Sequence, residues 1–287
     1  MNNMRSSIYK AENNLIHRHS RVIAITSGKG GVGKTNITVN LAMALSSAGF
    51  KVVIFDADLG LSNAEVLLGL NPRHTVYDFL YYDVPLEQVL TDAPNNVKII
   101  SGGCGLLELA NLSSEAIKHL QRSLTGFDLD ADFVLVDTGA GINKSVLAFL
   151  AAAQDVLVVV TPEPTSITDA YGLIKVLYRY KVHREINLLI NKAVNEQEAD
   201  STFRKLQLTA QRFLPELNLQ YIGWLPNDDT VVKAVKDQRP FVLYYPDSKP
   251  SNAVKAVADR LAGTKENLHK KSGGISSFFG RLTRLFS

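Results

Sequence analysis

Ser27-Gly28-Lys29-Gly30-Gly31-Val32-Gly33-Lys34-Thr35 constrains this chain more than any other stretch. From Gly28 it fits G-x-x-x-x-G-K-[ST], with an apolar run at 22–25 before it and a helical pattern over 35–48 after it. A phosphate chain requires that order of strand, loop and helix. Backbone N–H groups must wrap the anion, and glycine lets the chain curl without Cβ clashes. The helix then aims its unpaired first-turn N–H groups and the positive end of its dipole at the same point. Gly28, Gly30, Gly31, Val32 and Gly33, with Lys34, Thr35 and Asn36 opening the helix, form the candidate cradle for ATP or ADP. Lys34 is expected on the β- and γ-phosphates and the Thr35 hydroxyl on Mg2+.

Two further apolar runs end in carboxylates. Residues 51–55 lead into Asp56-Ala57-Asp58-Leu59-Gly60, and the unbroken run at 133–136 is capped by Asp137-Thr138-Gly139-Ala140-Gly141. In a doubly wound sheet, the carboxyl ends of the strands face the site. Asp137 therefore has the position of a Walker B aspartate, which holds Mg2+ through water, and Gly139 and Gly141 let the segment rearrange when a γ-phosphate leaves. Asp56 is expected to support its loop. Apolar runs at 97–100, 156–160, 188–190 and 221–224 alternate with helical patterns, which predicts an α/β fold with a doubly wound, mostly parallel sheet flanked by helices. The loop over 161–170 reads equally as a rigid strand-to-helix connector, with Thr165 or Ser166 capping the helix, or as a binding element. Phe203, Leu206, Leu208, Phe213, Leu217, Val231, Val232 and Val235 read as core-facing positions, and Trp224 as a core anchor.

At 287 residues and 46% hydrophobic content, one large domain is expected. No run approaches the ~18 apolar residues of a membrane span and no signal-peptide core opens the chain, so a cytoplasmic location is expected. The single cysteine, Cys104, excludes an intrachain disulfide and argues against zinc, and His17 and His19 read as solvated. Basic residues concentrate at the ends: Arg5, Lys10, Arg18 and Arg21 against Glu12, and Lys265, Lys270, Lys271, Arg281 and Arg284 against Glu266. With a net charge of +3 overall, the body is then acidic, a poor profile for direct nucleic-acid binding. The expected organisation is a flexible segment at 1–20, a P-loop domain at 21–263, a Gly-Gly-ended linker at 264–274 and an amphipathic helix at 275–287. Ile275, Phe278, Phe279, Leu282, Leu285 and Phe286 share one face of that helix, with Arg281 and Arg284 off it. It is too short to span a bilayer but suited to lying on an anionic one, so peripheral attachment at the inner face of the cell membrane is expected. The alternative is a helix packed on the protein's own sheet or on a partner.

The second lysine at the start of the loop, Lys29 in K-G-G-x-G-K-T, resembles the deviant Walker A signature of the MinD/ParA class of ATPases. The resemblance implies that Lys29 reaches the nucleotide of a partner subunit, making ATP the glue of a homodimer, while Lys34 acts in cis. It also implies that Asp58 is the switch aspartate that positions the attacking water and touches the Mg2+ shell, and that D-x-x-A-G from Asp137 is the second switch. Asn63 matches a class position near the nucleotide. Asn191, at a strand end, is implied to read the adenine base, with Pro226 and Asp228 packing on it. The segments over 60–70 and 163–171 further resemble the flagellar-number regulators (FlhG, FleN, MotR) of that class. This resemblance implies a slow ATPase that limits flagellar number and placement. Its implied partners are an FlhF-like signal-recognition-type GTPase and a flagellar master transcription activator or basal-body protein. Residues 1–20 contain no counterpart of the D-Q-A-x-x-L-R activating motif that some members carry. Division-site placement of the MinD type is the alternative within the class, and DNA partition of the ParA type is a more distant one.

Overall fold

The computed structural model describes residues 20–58, 63–82, 84–102, 130–263 and 274–286. The calls on residues 1–19 (including His17 and His19), on Gly60, on Cys104 and on the linker over 264–273 lie outside these. In chain order the elements are β1 (Arg21–Ser27), α1 (Lys34–Ser47), β2 (Val52–Ala57), α2 (Ala64–Leu67), α3 (Val76–Tyr81), α4 (Leu86–Val89), β3 (Leu90–Asp92) and β4 (Lys98–Ser101). They continue with β5 (Phe133–Ala140), α5 (Lys144–Ala152), β6 (Asp155–Val160), α6 (Pro164–Arg179), β7 (Glu185–Ala193), α7 (Glu196–Phe213) and β8 (Asn218–Pro226). The last are α8 (Asp229–Lys236), α9 (Phe241–Tyr244), α10 (Lys249–Ala262) and α11 (Gly274–Phe286).

The eight strands form one sheet in the order β3-β4-β2-β5-β1-β6-β7-β8, parallel throughout except for the antiparallel β3–β4 edge. β1, β2, β5 and β6 are apolar along their length because alternate residues enter different cores. Val22, Ala24, Phe55, Val134 and Val136 face one layer, which holds α5, α6, α7 and α11. Ile23, Ile25, Ile54, Leu135 and Leu157 face the other, which holds α1, α9 and α10. The chain starts in the middle of the sheet, builds one wing, returns as β5 and then builds the other wing. The carboxyl ends of β1, β2 and β5 are thereby brought side by side, with Asp56 directly in register with Asp137.

The C-terminal helix lies in the first layer. Ile275, Phe278, Phe279 and Leu282 are buried among Phe55, Phe149 and the helices around them, with the Phe278 ring 6.4 Å from both Phe55 and Phe149. Leu285, on the edge of the same face, is exposed. In this conformation the helix is therefore packed on its own domain, the alternative to the expected detached position. Among the described residues, no helix is long and apolar enough to cross a membrane.

Two sets of expected core positions are corrected. Phe203, Leu206 and Leu217 are buried, but Leu208 and Phe213 on α7 are exposed at 66% and 58%. They sit on the solvent side of a helix whose buried stripe runs through Ala199, Phe203, Leu206 and Ala210. Val232 and Val235 on α8 are likewise exposed, for a reason that concerns the cleft described next.

Candidate nucleotide-binding site

The loop after β1 is shaped by three glycines at positions where a side chain would strain the backbone or meet a neighbour. Gly31 and Gly33 have φ of +76° and +95°, and Gly33 is the N-cap of α1. A Cβ on Gly33 would lie 2.6 Å from Asn191 Nδ2, and one on Gly28 only 2.2 Å from the backbone carbonyl carbon of Asp169 in α6. Gly28 is thus where α6 docks on the loop.

Lys34 is buried at the start of α1, and desolvation pushes its ammonium below the ordinary lysine range against the opposing pull of Asp137 and Asp58. Asp137 is fully buried and is pushed up to about 7, chiefly by desolvation and then by Asp56, with Thr35, Lys34 and Thr38 pulling the other way. Thr38 Oγ1 donates to Asp137 Oδ1 at 3.1 Å, whereas Asp137 Oδ2 is buried with no hydrogen-bond partner. Asp56 supports its loop as expected, accepting from the Asp58 amide at 3.2 Å and the Ala64 amide at 3.0 Å, and burial pushes it up to about 6. Asp58 closes the group: a Cβ on Gly139 would lie 3.3 Å from its Oδ1, so the two expected switches touch here.

An orphaned carboxylate oxygen on Asp137, beside the Thr35 hydroxyl and near Asp58, is a hard, oxygen-only donor set that fits Mg2+. Among the described residues no group of three or more His, Cys, Asp or Glu could hold a metal alone.

From the loop a cleft of about 670 Å3 runs toward β7 and β8, lined by Gly30, Lys34, Thr35, Asn36, Asp58 and Asn63 at the phosphate end and by Asn191, Pro226 and Asp228 at the far end. Val231, Val232 and Val235 of α8, with Val66 and Leu67 of α2, form its apolar walls. Sequence reasoning assigned the three α8 valines to the core, and Val231 does pack against it, whereas Val232 and Val235 are exposed. Their spacing shows a helical face, but not that part of this face borders a cleft rather than the sheet. Asp228 caps α8 through the Thr230 amide at 2.8 Å, and this bonding holds its carboxyl below the usual range.

Asn191 lies at the cleft, but its amide is engaged: Nδ2 donates to the Val32 carbonyl at 2.7 Å and Oδ1 accepts from the Lys192 amide at 2.9 Å. It holds the loop, which leaves its second N–H and the second lone pair of its oxygen for a base. Lys192, which sequence reasoning passed over, donates from Nζ to the Gly31 carbonyl at 2.9 Å. Lys29 turns back on its own chain, with Nζ 2.7 Å from Glu163 Oε2 and 2.9 Å from Thr165 Oγ1, and this pairing holds the Glu163 carboxyl below its usual range. The 161–170 segment, of which residues 164–170 are the start of α6, is therefore more than a connector. Its Ser166 hydroxyl accepts from the Thr161 amide at 3.0 Å, and Pro164 opens α6.

Comparison with known proteins agrees with this geometry. Residues 18–262 match the ParA family, described as NUBPL iron-transfer P-loop NTPase. Antiactivator FleN of Pseudomonas aeruginosa is 45% identical over 241 residues, covering 84% of this chain and 86% of that protein. The flagellum site-determining protein YlxH of Helicobacter pylori is 34% identical over 269 residues, covering 93% and 90%. Among solved structures, the MinC:MinD cell division protein complex of Aquifex aeolicus superposes with a TM-score of 0.67 at 30% identity, covering 85% of this chain and 97% of that one. The lysine-flanked loop, the paired strand-end aspartates and these matches all lead to one assignment: this chain belongs to the ParA/MinD family of P-loop NTPases.

Proposed function

We propose that this chain is an ATP-dependent dimerising switch that regulates flagellar number and placement, hydrolysing ATP slowly and cycling between a cytosolic monomer and a membrane-associated dimer. The observation that carries the catalytic part is the convergence of Asp58 and Asp137 on the buried Lys34 ammonium at the head of the cleft. The cellular role is supported by the flagellar relatives, at 45% and 34% identity.

ATP lies with its phosphates on the backbone N–H groups of the loop and its base between the apolar walls of α2 and α8. Lys34 offsets charge on the γ-phosphate, and Asp58 orients the attacking water, with no covalent intermediate. Thr35 and, through water, Asp58 and Asp137 would hold Mg2+, which would supply charge neutralisation to the phosphates when bound. Lys29 exchanges Glu163 and Thr165 for the nucleotide of a second subunit. An exposed ion pair is weak, so this exchange costs little.

The C-terminal helix takes part through its position. Its four buried apolar side chains contribute ~1.5–3 kcal/mol each on the domain and recover a similar amount among lipid acyl chains. The exchange is close to balance, and a movement of α5 can tip it. α5 follows the Gly139–Gly141 switch with only Ile142 and Asn143 between, and packs against α11. Two helices on a dimer then bind far better than one. An FlhF-like GTPase and a flagellar transcription activator or basal-body protein are the partners that this reading requires.

Pelleting of the intact chain with anionic vesicles in ATP and in ADP tests the cycle. The expected result is binding in ATP that is weakened by Arg284→Glu, and equal binding in both nucleotides would overturn it. Asp58→Ala is expected to bind ATP, hydrolyse it poorly and accumulate as dimer, and a monomer at saturating ATP counts against the assignment. The second reading, division-site placement, is favoured by the 30% identity to the MinD complex. Capture of a MinC-type partner, with none of the flagellar ones, would select it.

A further inference from the structure

We infer that Lys192 is a positioning residue for the nucleotide phosphates, acting with Asn191 as a two-point brace on the phosphate loop. This rests on the reading of residues 28–36 as a nucleotide cradle and goes beyond it in assigning the residue that keeps the cradle shaped.

A loop that turns successive N–H groups inward toward an anion must turn the carbonyls of the same peptide planes outward. Those carbonyls then need donors, or the planes are free to rotate. The end of β7 supplies them. Lys192 Nζ donates to the Gly31 carbonyl at 2.9 Å, and the neighbouring Asn191 Nδ2 donates to the Val32 carbonyl at 2.7 Å. Each peptide plane is rigid and trans, so fixing the Gly31 carbonyl fixes the Val32 N–H, and fixing the Val32 carbonyl fixes the Gly33 N–H. Two consecutive donors of the cradle are thereby aimed before any phosphate arrives.

The backbone at Lys192 gives a second, independent indication. Its φ is +59°, a conformation that side-chain-bearing residues adopt at a cost and that glycine adopts freely. A residue needed only for the turn would be best served by glycine. The strained turn brings the lysine stem back along the cleft wall, where Lys192 lines the same space as Asn191 and Pro226. Its aliphatic carbons give that wall an apolar strip, and its ammonium reaches the loop.

ADP is the probe, because the proposed dimer forms with ATP and a partner subunit would complicate the reading. Full-length wild type, Lys192→Met, Lys192→Gly and Lys192→Arg are titrated with Mg-ADP, and melting temperature is recorded for each. Lys192→Met is expected to bind about tenfold more weakly, equivalent to ~1.4 kcal/mol, and Lys192→Arg to restore most of the affinity. Lys192→Gly is expected to lose affinity like the Met variant while melting at or above the wild-type temperature, since it relieves the strained φ. Because the brace acts on ground and transition state alike, KM for ATP rises in both weakened variants with kcat nearly unchanged. Wild-type affinity in Lys192→Met or Lys192→Gly, or a loss that follows melting temperature across the set, overturns the brace. A wild type that binds no ADP overturns the cradle reading itself, and the brace with it.

Discussion

Gly28 shows how packing alone can require a glycine. Its missing Cβ is where the Asp169 carbonyl sits, so Gly28→Ala must push α6 away from the loop. The expected outcome is a loss of ADP affinity of about tenfold or more, equivalent to ~1.4 kcal/mol, read by titration. The buried carboxylates give a prediction of another kind. Asp56 and Asp137 are raised from 3.8 to about 6 and about 7, so the folded protein holds protons that the unfolded chain has released. Stability of the nucleotide-free protein should therefore be greatest at the acid end of this window and fall as pH rises from 3.8 toward 7. Melting curves across that window should show the fall, with a shallower slope for Asp137→Asn, and equal slopes in both proteins would refute the assignment. At this scale the turn of the glycine-rich loop and the placing of the three aspartates at the ends of β2 and β5 were legible, because residue type, strand end and loop length all agree there. Lys192 was not legible, because its role depends on a left-handed backbone that brings its ammonium to a loop far away in sequence.

Elements were legible where their pattern was long. The apolar runs of the parallel strands and the helix after the phosphate loop stand where periodicity puts them. β3 escaped because the three residues Leu90–Asp92 are too few to show alternation. Helix α7 shows a finer limit: apolar residues at Phe203, Leu206, Leu208 and Phe213 do not separate buried from exposed by type, only by angle around the axis. Leu206→Ala should cost ~2–5 kcal/mol in denaturant unfolding, whereas Leu208→Ser should stay within about 0.5 kcal/mol of wild type. Comparable losses at both positions would mean that α7 is rotated from the placement described. The C-terminal helix was legible as an amphipathic helix, and four of the residues on its apolar face, Ile275, Phe278, Phe279 and Leu282, are buried. The partner of that face was not legible, because a surface built from Phe and Leu suits a lipid layer and a protein core equally well.

For the whole molecule, the sheet order brings together the loop after β1, the carboxylates at the carboxyl ends of β2 and β5, and the brace at the end of β7, while Lys29 stays at the rim on Glu163. If the rim lysine completes a second subunit's site, Lys29→Ala should still bind ADP but remain monomeric in ATP by light scattering, and unchanged dimer formation would remove it from the interface. The seating of the last helix has a consequence for the order of folding. Phe55, on β2, is packed against Phe278 and Phe279, more than two hundred residues further along the chain. Contacts between residues so far apart in sequence close slowly, because the entropy of the intervening chain is lost before the contact rewards it. The groove beside α5 is therefore filled late, after the strands around Phe55 have paired.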